Sequence, residues 1–217
     1  MMYVPPQLVE GCRDVLHQFI REHPVATVIA ALNRSLDAQH LPLLLDAANH
    51  ENGDLRGHVA RANTIWQEPE DRAEVLVIFQ GPNHYISPGW YPSKERHGKV
   101  VPTWNHIIVH VRGLLKWQHD RDWLRDLLER TTEAHEQERP QPWAMTDAAA
   151  EYVERALGGI VGFEIVISTL TGKLKLSQNQ ADHDRAGVIK GLDSEANAQA
   201  AEVAHWMRER KTRRGAG

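Results

Sequence analysis

Three short stretches hold the residues of this chain that could do chemistry. In Gly57-His58-Val59-Ala60-Arg61-Ala62-Asn63, an imidazole, a guanidinium and a carboxamide end a strand-like run. An arginine there can fork onto a phosphate, with Asn63 and the N–H groups of a following helix start as further donors. An ordinary helix cap beside a surface arginine satisfies the same spacing. Gly81–Tyr91 (GPNHYISPGWY) and Val101–Asn105 (VPTWN) interleave aromatic rings with Ser87, Thr103 and Asn105. Flat rings beside hydroxyls and amides suit a planar heteroaromatic ligand that is stacked and hydrogen-bonded at its edge. Trp90 and Trp104 would equally serve to plug a barrel end. Lys173–Asn179 (KLKLSQN) ends another strand-like run in Lys175, Ser177, Gln178 and Asn179, which a solvated strand end would also explain.

Thirteen histidines raise the question of a metal. His106 and His110 lie four apart in an extended run, so both point to one face. No spacing rule picks a third ligand among His58, His84 and His97, and no metal site is assigned. There is no GxGxxG following a strand, no GxxxxGK[ST], no HExxH and no GxSxG, and the single cysteine, Cys12, rules out a CxxC pair. His58, His84 and His106 are the candidate proton donors near neutral pH.

The elements that must position these groups read mostly as strands. Val25–Leu32, Leu41–Asp46, Asp54–Ala60, Val75–Phe79, Tyr85–Ser87, Val100–Trp117 and Ile160–Leu170 are rich in β-branched and aromatic residues, with Lys173–Ser177 continuing the last in alternation. A polar stretch, Asn33–Gln39, separates the first two. Helical spacing predicts helices within residues 5–23, over Asp122–Glu138 and Ala148–Leu157, and as a pair from Ala181 to Arg214 that meets near Gly191-Leu192-Asp193. Strands cluster without regular crossover helices, so the expected architecture is α+β, mainly β: an antiparallel barrel with flanking helices.

The 217 residues suffice for one generous domain with appendages and need no disulfide to hold a core. One cysteine points to a reducing compartment, and no apolar run is long enough for a membrane span, so a cytoplasmic protein is expected. The net charge is −4, but Arg208, Arg210, Lys211, Arg213 and Arg214 against Glu209 give +4, which leaves −8 for residues 1–207. An acidic body disfavours broad nucleic-acid binding.

Taken together, MYVPP (Met2–Pro6), HLPLLLD (His40–Asp46), RGHVARAN (Arg56–Asn63), YISPGWY (Tyr85–Tyr91), HGKVVPTWNH (His97–His106), GIVGFEI (Gly159–Ile165), KLSQN (Lys175–Asn179) and AGVIKGL (Ala186–Leu192) form an ordered set. It resembles the PaiB-type FMN-binding negative transcriptional regulators, relatives of the pyridoxamine-phosphate-oxidase-like split barrels. The resemblance implies an FMN-binding split β-barrel over residues 1–192, pairing as a homodimer with FMN at the interface, and a C-terminal helix and basic tail over 193–217. It implies that His58, Arg61 and Asn63 hold the phosphate end of FMN. Ser87, Thr103, Trp104 and Asn105 would face the flavin or the neighbouring subunit, while Lys175, Ser177, Gln178 and Asn179 close the pocket. The chain departs from the family pattern at Thr64, where proline is usual, and at His106, where an aromatic residue is common.

Three function classes remain open: a regulator, an oxidoreductase carrying out FMN or haem-type planar-ligand chemistry, and a flavin-binding sensor without turnover. The stretch that most resembles a helix-turn-helix is Asp182–Lys190 followed by Glu195–Met207. Its second helix begins Glu195-Ala196-Asn197-Ala198-Gln199-Ala200-Ala201-Glu202, with no basic residue to meet bases or phosphates. Direct DNA contact thus has no residue pattern behind it, and a basic terminal run is ordinarily a solvated end.

Overall fold

The computed structural model describes residues 2–32, 35–67 and 73–210. Among these residues, eight strands form one sheet: β1 (Val9–Glu10), β2 (Val25–Leu32), β3 (Ser35–Pro42), β4 (Leu44–Asp46), β5 (Asp54–Ala60), β6 (Ala73–Ile86), β7 (Thr103–Gln118) and β8 (Ile160–Lys175). Their hydrogen-bonded order is β3-β2-β6-β7-β8-β5-β4, with β1 added on β8. Antiparallel pairing joins β2 to β3 and β6, β5 to β4 and β8, and β1 to β8. The helices are α1 (Arg13–Glu22), α2 (Ser93–His97), α3 (Arg121–Glu136), α4 (Ala150–Gly158), α5 (Asp182–Asp193) and α6 (Ala198–Glu209). The expected α+β, mainly β class is the observed one.

Two compact units divide the chain. The first comprises Met1–Leu16, Gln80–Val109 and Thr171–Gly217; the second comprises His17–Phe79 and His110–Leu170. Strands β6, β7 and β8 contribute residues to both. In the second unit, β5 and the first half of β8 pair from Asp54↔Val166 to Ala60↔Ile160. Alternation turns Leu55, Val59, Val161 and Phe163 into the core, as period-two patterning requires. Helices α3 and α4 meet through Leu124, Val153 and Leu157. Full burial of leucines such as Leu124 and Leu157 contributes roughly 1.5–3 kcal/mol apiece. Asp120 caps α3 by accepting the Trp123 N–H at 2.8 Å. Gly113 is required by close approach, because a Cβ there would run into the backbone of Val166. In the first unit, Val188, Leu192, Val203 and Met207 make the buried face of the α5–α6 pair. Asn197 caps α6 by accepting the Gln199 N–H at 2.8 Å.

Several elements differ from the sequence expectation. The stretch read as a polar separator contributes most of β3, which pairs with β2 from Val25↔Pro42 to Leu32↔Ser35. β3 ends the strand order, and an edge strand tolerates polar and charged side chains that a central strand would not. Residues 33 and 34 of that stretch lie outside the described residues. Val75–Phe79 and Tyr85-Ile86 belong to one 14-residue strand, β6, because pairing carries the chain through Gly81-Pro82, while Ser87 lies just beyond its end. Among the described residues, a 3-10 turn, Thr64–Gln67, follows Asn63 in place of the expected helix start. Near the N-terminus, Val9 and Glu10 pair with β8 and helix α1 begins only at Arg13.

Candidate ligand-binding site

His58, Arg61 and Asn63 belong to the second unit. His58 pairs across the ladder with Gly162, where a Cβ would strike the Trp123 ring and Leu124. Burial there pushes the His58 pKa below its usual 6.5, favouring the neutral ring. The Arg61 Nε donates to the Gly158 carbonyl at 2.7 Å, and one Nη donates to the Ile160 carbonyl at 2.9 Å. This guanidinium thus ties the end of β5 to the end of α4, and it also lies over the Trp66 ring. The Asn63 Nδ2 donates to Gln39 Oε1 at 3.1 Å, while Asn63 Oδ1 accepts the Ile65 N–H at 3.2 Å. An asparagine bonding its own backbone two residues on is a local turn device.

A larger ion-pair network lies in the same unit. Arg56 meets Asp46 at 3.0 Å and Glu164 at 2.9 Å, and Arg130 meets Asp46 at 2.8 Å. The Arg130 hydrogen bond holds the Asp46 carboxyl below its ordinary range.

The other eight residues belong to the first unit. Thr103, Trp104 and Asn105 open β7; Lys175 ends β8, and Ser177, Gln178 and Asn179 form the turn beyond it. The Lys175 Nζ donates to Thr103 Oγ1 at 2.6 Å. Trp104 is 53% exposed and packs edge-to-face on Tyr85, itself 42% exposed, at 6.1 Å. His106 lies near both Lys173 and Lys175. Its pKa is lowered first by burial and then by these two ammonium groups, while a hydrogen bond to the Trp104 backbone opposes the shift. Asn105 and Ser177 are buried and bond to each other at 3.0 Å, and Asn179 is exposed. Ser87 accepts the Gly89 N–H at 3.1 Å and so opens the Pro88–Trp90 turn. Trp90 packs on α5, where a Cβ at Gly191 would overlap its ring, and it stacks with His84.

Sequence reasoning singled out Lys175 and Trp104 but passed over their partners Lys173 and Tyr85. Alternation in KLKLS puts both lysines on one strand face, so Lys173 was legible; Tyr85 required the neighbouring positions of β6 and β7. Neither Lys173 nor Lys175 has a carboxylate partner among the described residues. Uncompensated positive charge beside exposed aromatic faces fits a planar ligand that carries an anionic group. A cavity of about 540 Å³ in the second unit, walled by Trp143 and Met145, presents Glu129, Glu133 and Glu136 and would repel such a ligand. Among the described residues, no three His, Cys, Asp or Glu side chains converge as a metal site, and no helix is long and apolar enough to cross a membrane.

The fold defines a class: an antiparallel split-barrel sheet with flanking helices, of the kind found in flavin-binding proteins. A FAD- and haem-binding protein of Mycobacterium smegmatis shares it with a TM-score of 0.53 and 14% identity, over 82% of this chain and 79% of that one. The chain belongs to the family described as "Putative FMN-binding domain", whose model matches residues 2–169. The "Protease synthase and sporulation protein PAI 2" of Bacillus subtilis is 33% identical, covering 96% of this chain and 98% of its own length. An uncharacterised protein of Emericella nidulans is 32% identical over 96% of this chain and 97% of its own.

Proposed function

We propose that this protein binds FMN through its first unit and acts, as a cytoplasmic homodimer, as a PaiB-type negative regulator of transcription. The observation that carries the flavin reading is the pair of lysines, Lys173 and Lys175, without carboxylate partners among the described residues and close to the exposed Tyr85–Trp104 pair. In this reading Trp104 stacks against the isoalloxazine, Thr103 donates to or accepts from its edge, and the lysines meet the phosphate. Bound FMN would supply hydride or single-electron transfer. The name of the Bacillus relative, tied to protease synthesis and sporulation, supports a regulatory role.

Regulation through a partner or a ligand-dependent state fits the residues better than direct base reading. Arg208 pairs with Asp193, and Arg210 meets Glu10 at 3.1 Å, so two cations of the basic tail already have carboxylates. Residues 211–217 lie outside the described residues. The exposed Val101, Tyr85 and Trp104 supply apolar surface for a second copy of the chain.

Titration of the purified protein with FMN, followed by quenching of flavin fluorescence, tests the reading directly. Saturable quenching with a yellow, dimeric product is the expected result. A colourless protein that ignores added FMN would sink it. A gel shift on promoter DNA that survives deletion of residues 208–217 would contradict the indirect mode.

A further inference from the structure

Beside the lysines and the aromatic pair lies a polar pair sealed from ligand. Asn105 is fully buried and Ser177 nearly so. The Asn105 Nδ2 donates to Ser177 Oγ at 3.0 Å, and the two side chains meet again at 3.2 Å through Asn105 Oδ1. These two distances describe one hydroxyl serving as acceptor and donor to one carboxamide. The Asn105 Nδ2 also reaches the Met207 sulfur at 3.5 Å, which ties the pair to α6.

Ser177 is also the one non-glycine among the described residues with a positive φ, +60°. An L-residue held there is strained and persists only where its surroundings over-determine it. Here the surroundings are specific. Gln178 accepts the Leu176 N–H at 2.7 Å and donates to the Leu174 carbonyl, folding the chain end tightly around Lys175. The Tyr91 hydroxyl is buried beside Ser177 and Asp184. The strained residue thus stands two positions after Lys175, and its partner Asn105 immediately follows Trp104.

We propose that Asn105 and Ser177 are positioning residues: they touch no ligand, and their reciprocal hydrogen bonds, anchored on β7 by Asn105, hold Lys175 in the geometry a ligand meets. The identity of that ligand rests on the flavin reading above; the positioning itself does not. Without the Ser177 hydroxyl, the turn after β8 loses its side-chain tie to the start of β7, and the Lys175–Thr103 hydrogen bond loses its register. The +60° turn by itself does not maintain that register, because a glycine would adopt it without any tie.

Two variants separate the hydroxyl from the strain. Ser177→Gly keeps the backbone conformation and removes the hydroxyl, whereas Ser177→Ala removes the hydroxyl and keeps the strain. Ser177→Gly is expected to fold and to weaken FMN binding about tenfold, the equivalent of one buried hydrogen bond. Because the serine acts through the lysine, Lys175→Met combined with Ser177→Gly should bind within about twofold of Lys175→Met alone. Losses that multiply in the double variant would overturn the positioning role. A crystal structure of either serine variant gives a readout independent of flavin. Lys175 Nζ is expected to leave Thr103 Oγ1; an unchanged 2.6 Å contact refutes the proposal. A wild-type protein that fails to bind FMN removes the flavin reading, and the crystal structures then decide the positioning role alone.

Discussion

Arg61 with Asn63 in the second unit and Lys175 with Thr103 in the first are built from the same kinds of polar group, yet they do opposite work. Arg61 is committed to two backbone carbonyls, and Asn63 to a glutamine and its own turn. Nearby in sequence, Arg56 sits among the carboxylates of Asp46 and Glu164. Lys173 and Lys175 have no carboxylate partner among the described residues; Lys175 reaches Thr103, next to the exposed Trp104, and both lysines lie near His106. A cation already matched within the fold stabilises structure, whereas one left unmatched next to a flat apolar face is available to a ligand. Residue type and spacing suggest a site; only partner status separates a clamp from a binding group.

The largest expected effect breaks the matched side. Arg56→Met strands Glu164 and removes one of two cations from Asp46. Loss of about 2–3 kcal/mol of stability is expected, less than the ~3–5 kcal/mol of a fully buried pair because Arg130 remains on Asp46. Denaturant unfolding measures it, with FMN affinity of the folded variant unchanged. Asp46 also makes this side acid-sensitive. Its folded pKa is depressed, so its stabilising contribution is complete above the unfolded carboxylate value of 3.8 and is lost as pH falls through the folded value. An Arg130→Met protein should lose most of that dependence.

Next in size is Lys175→Met on the unmatched side. Its expected cost is about 1.5–2 kcal/mol of FMN binding, with a weaker dependence of affinity on salt and little change in the unfolding midpoint. A large stability loss with unchanged affinity would reverse the assignment of the two regions. Arg61→Met should do the converse: about 1 kcal/mol of stability lost with the two carbonyl bonds, and FMN affinity within about twofold of wild type. Should Arg61→Met abolish FMN binding, the phosphate would lie in the second unit and the contrast would fail.

The smallest effect concerns His58 and His106, one in each unit. Burial lowers both pKa values below 6.5, so the unfolded chain takes up these protons first as the pH falls. Stability should therefore decline between pH 6.5 and each folded pKa, then level off. Replacing either histidine with glutamine should remove its share of that slope. Ring proton shifts followed by NMR would locate the two titrations, and added FMN should move His106 and leave His58 in place.

Much of the fold was legible because it rests on local patterns. Alternation marked β5 over Asp54–Ala60, and amphipathic spacing with Pro140 beyond it marked α3. Elements defined by pairing were not. β3 has an edge strand's composition, and β6 crosses a Gly-Pro step that reads as a break. In the candidate site, Trp104 and Lys175 stood out by type. Nothing in KLSQN announced that Ser177 would be buried at φ +60° against an asparagine 72 residues earlier.

By itself, the sequence determined the class and the inventory: a strand-rich α+β chain, one cysteine, and aromatics, lysines and hydroxyls grouped in motifs shared across a family. Those properties follow from composition and short-range periodicity, which the backbone geometry converts directly into elements. Tertiary structure decided the roles. Whether a guanidinium, an imidazole or a carboxamide is satisfied depends on groups brought near by folding from distant positions. Desolvation then sets which of them stay neutral, which stay paired, and which remain open to a ligand.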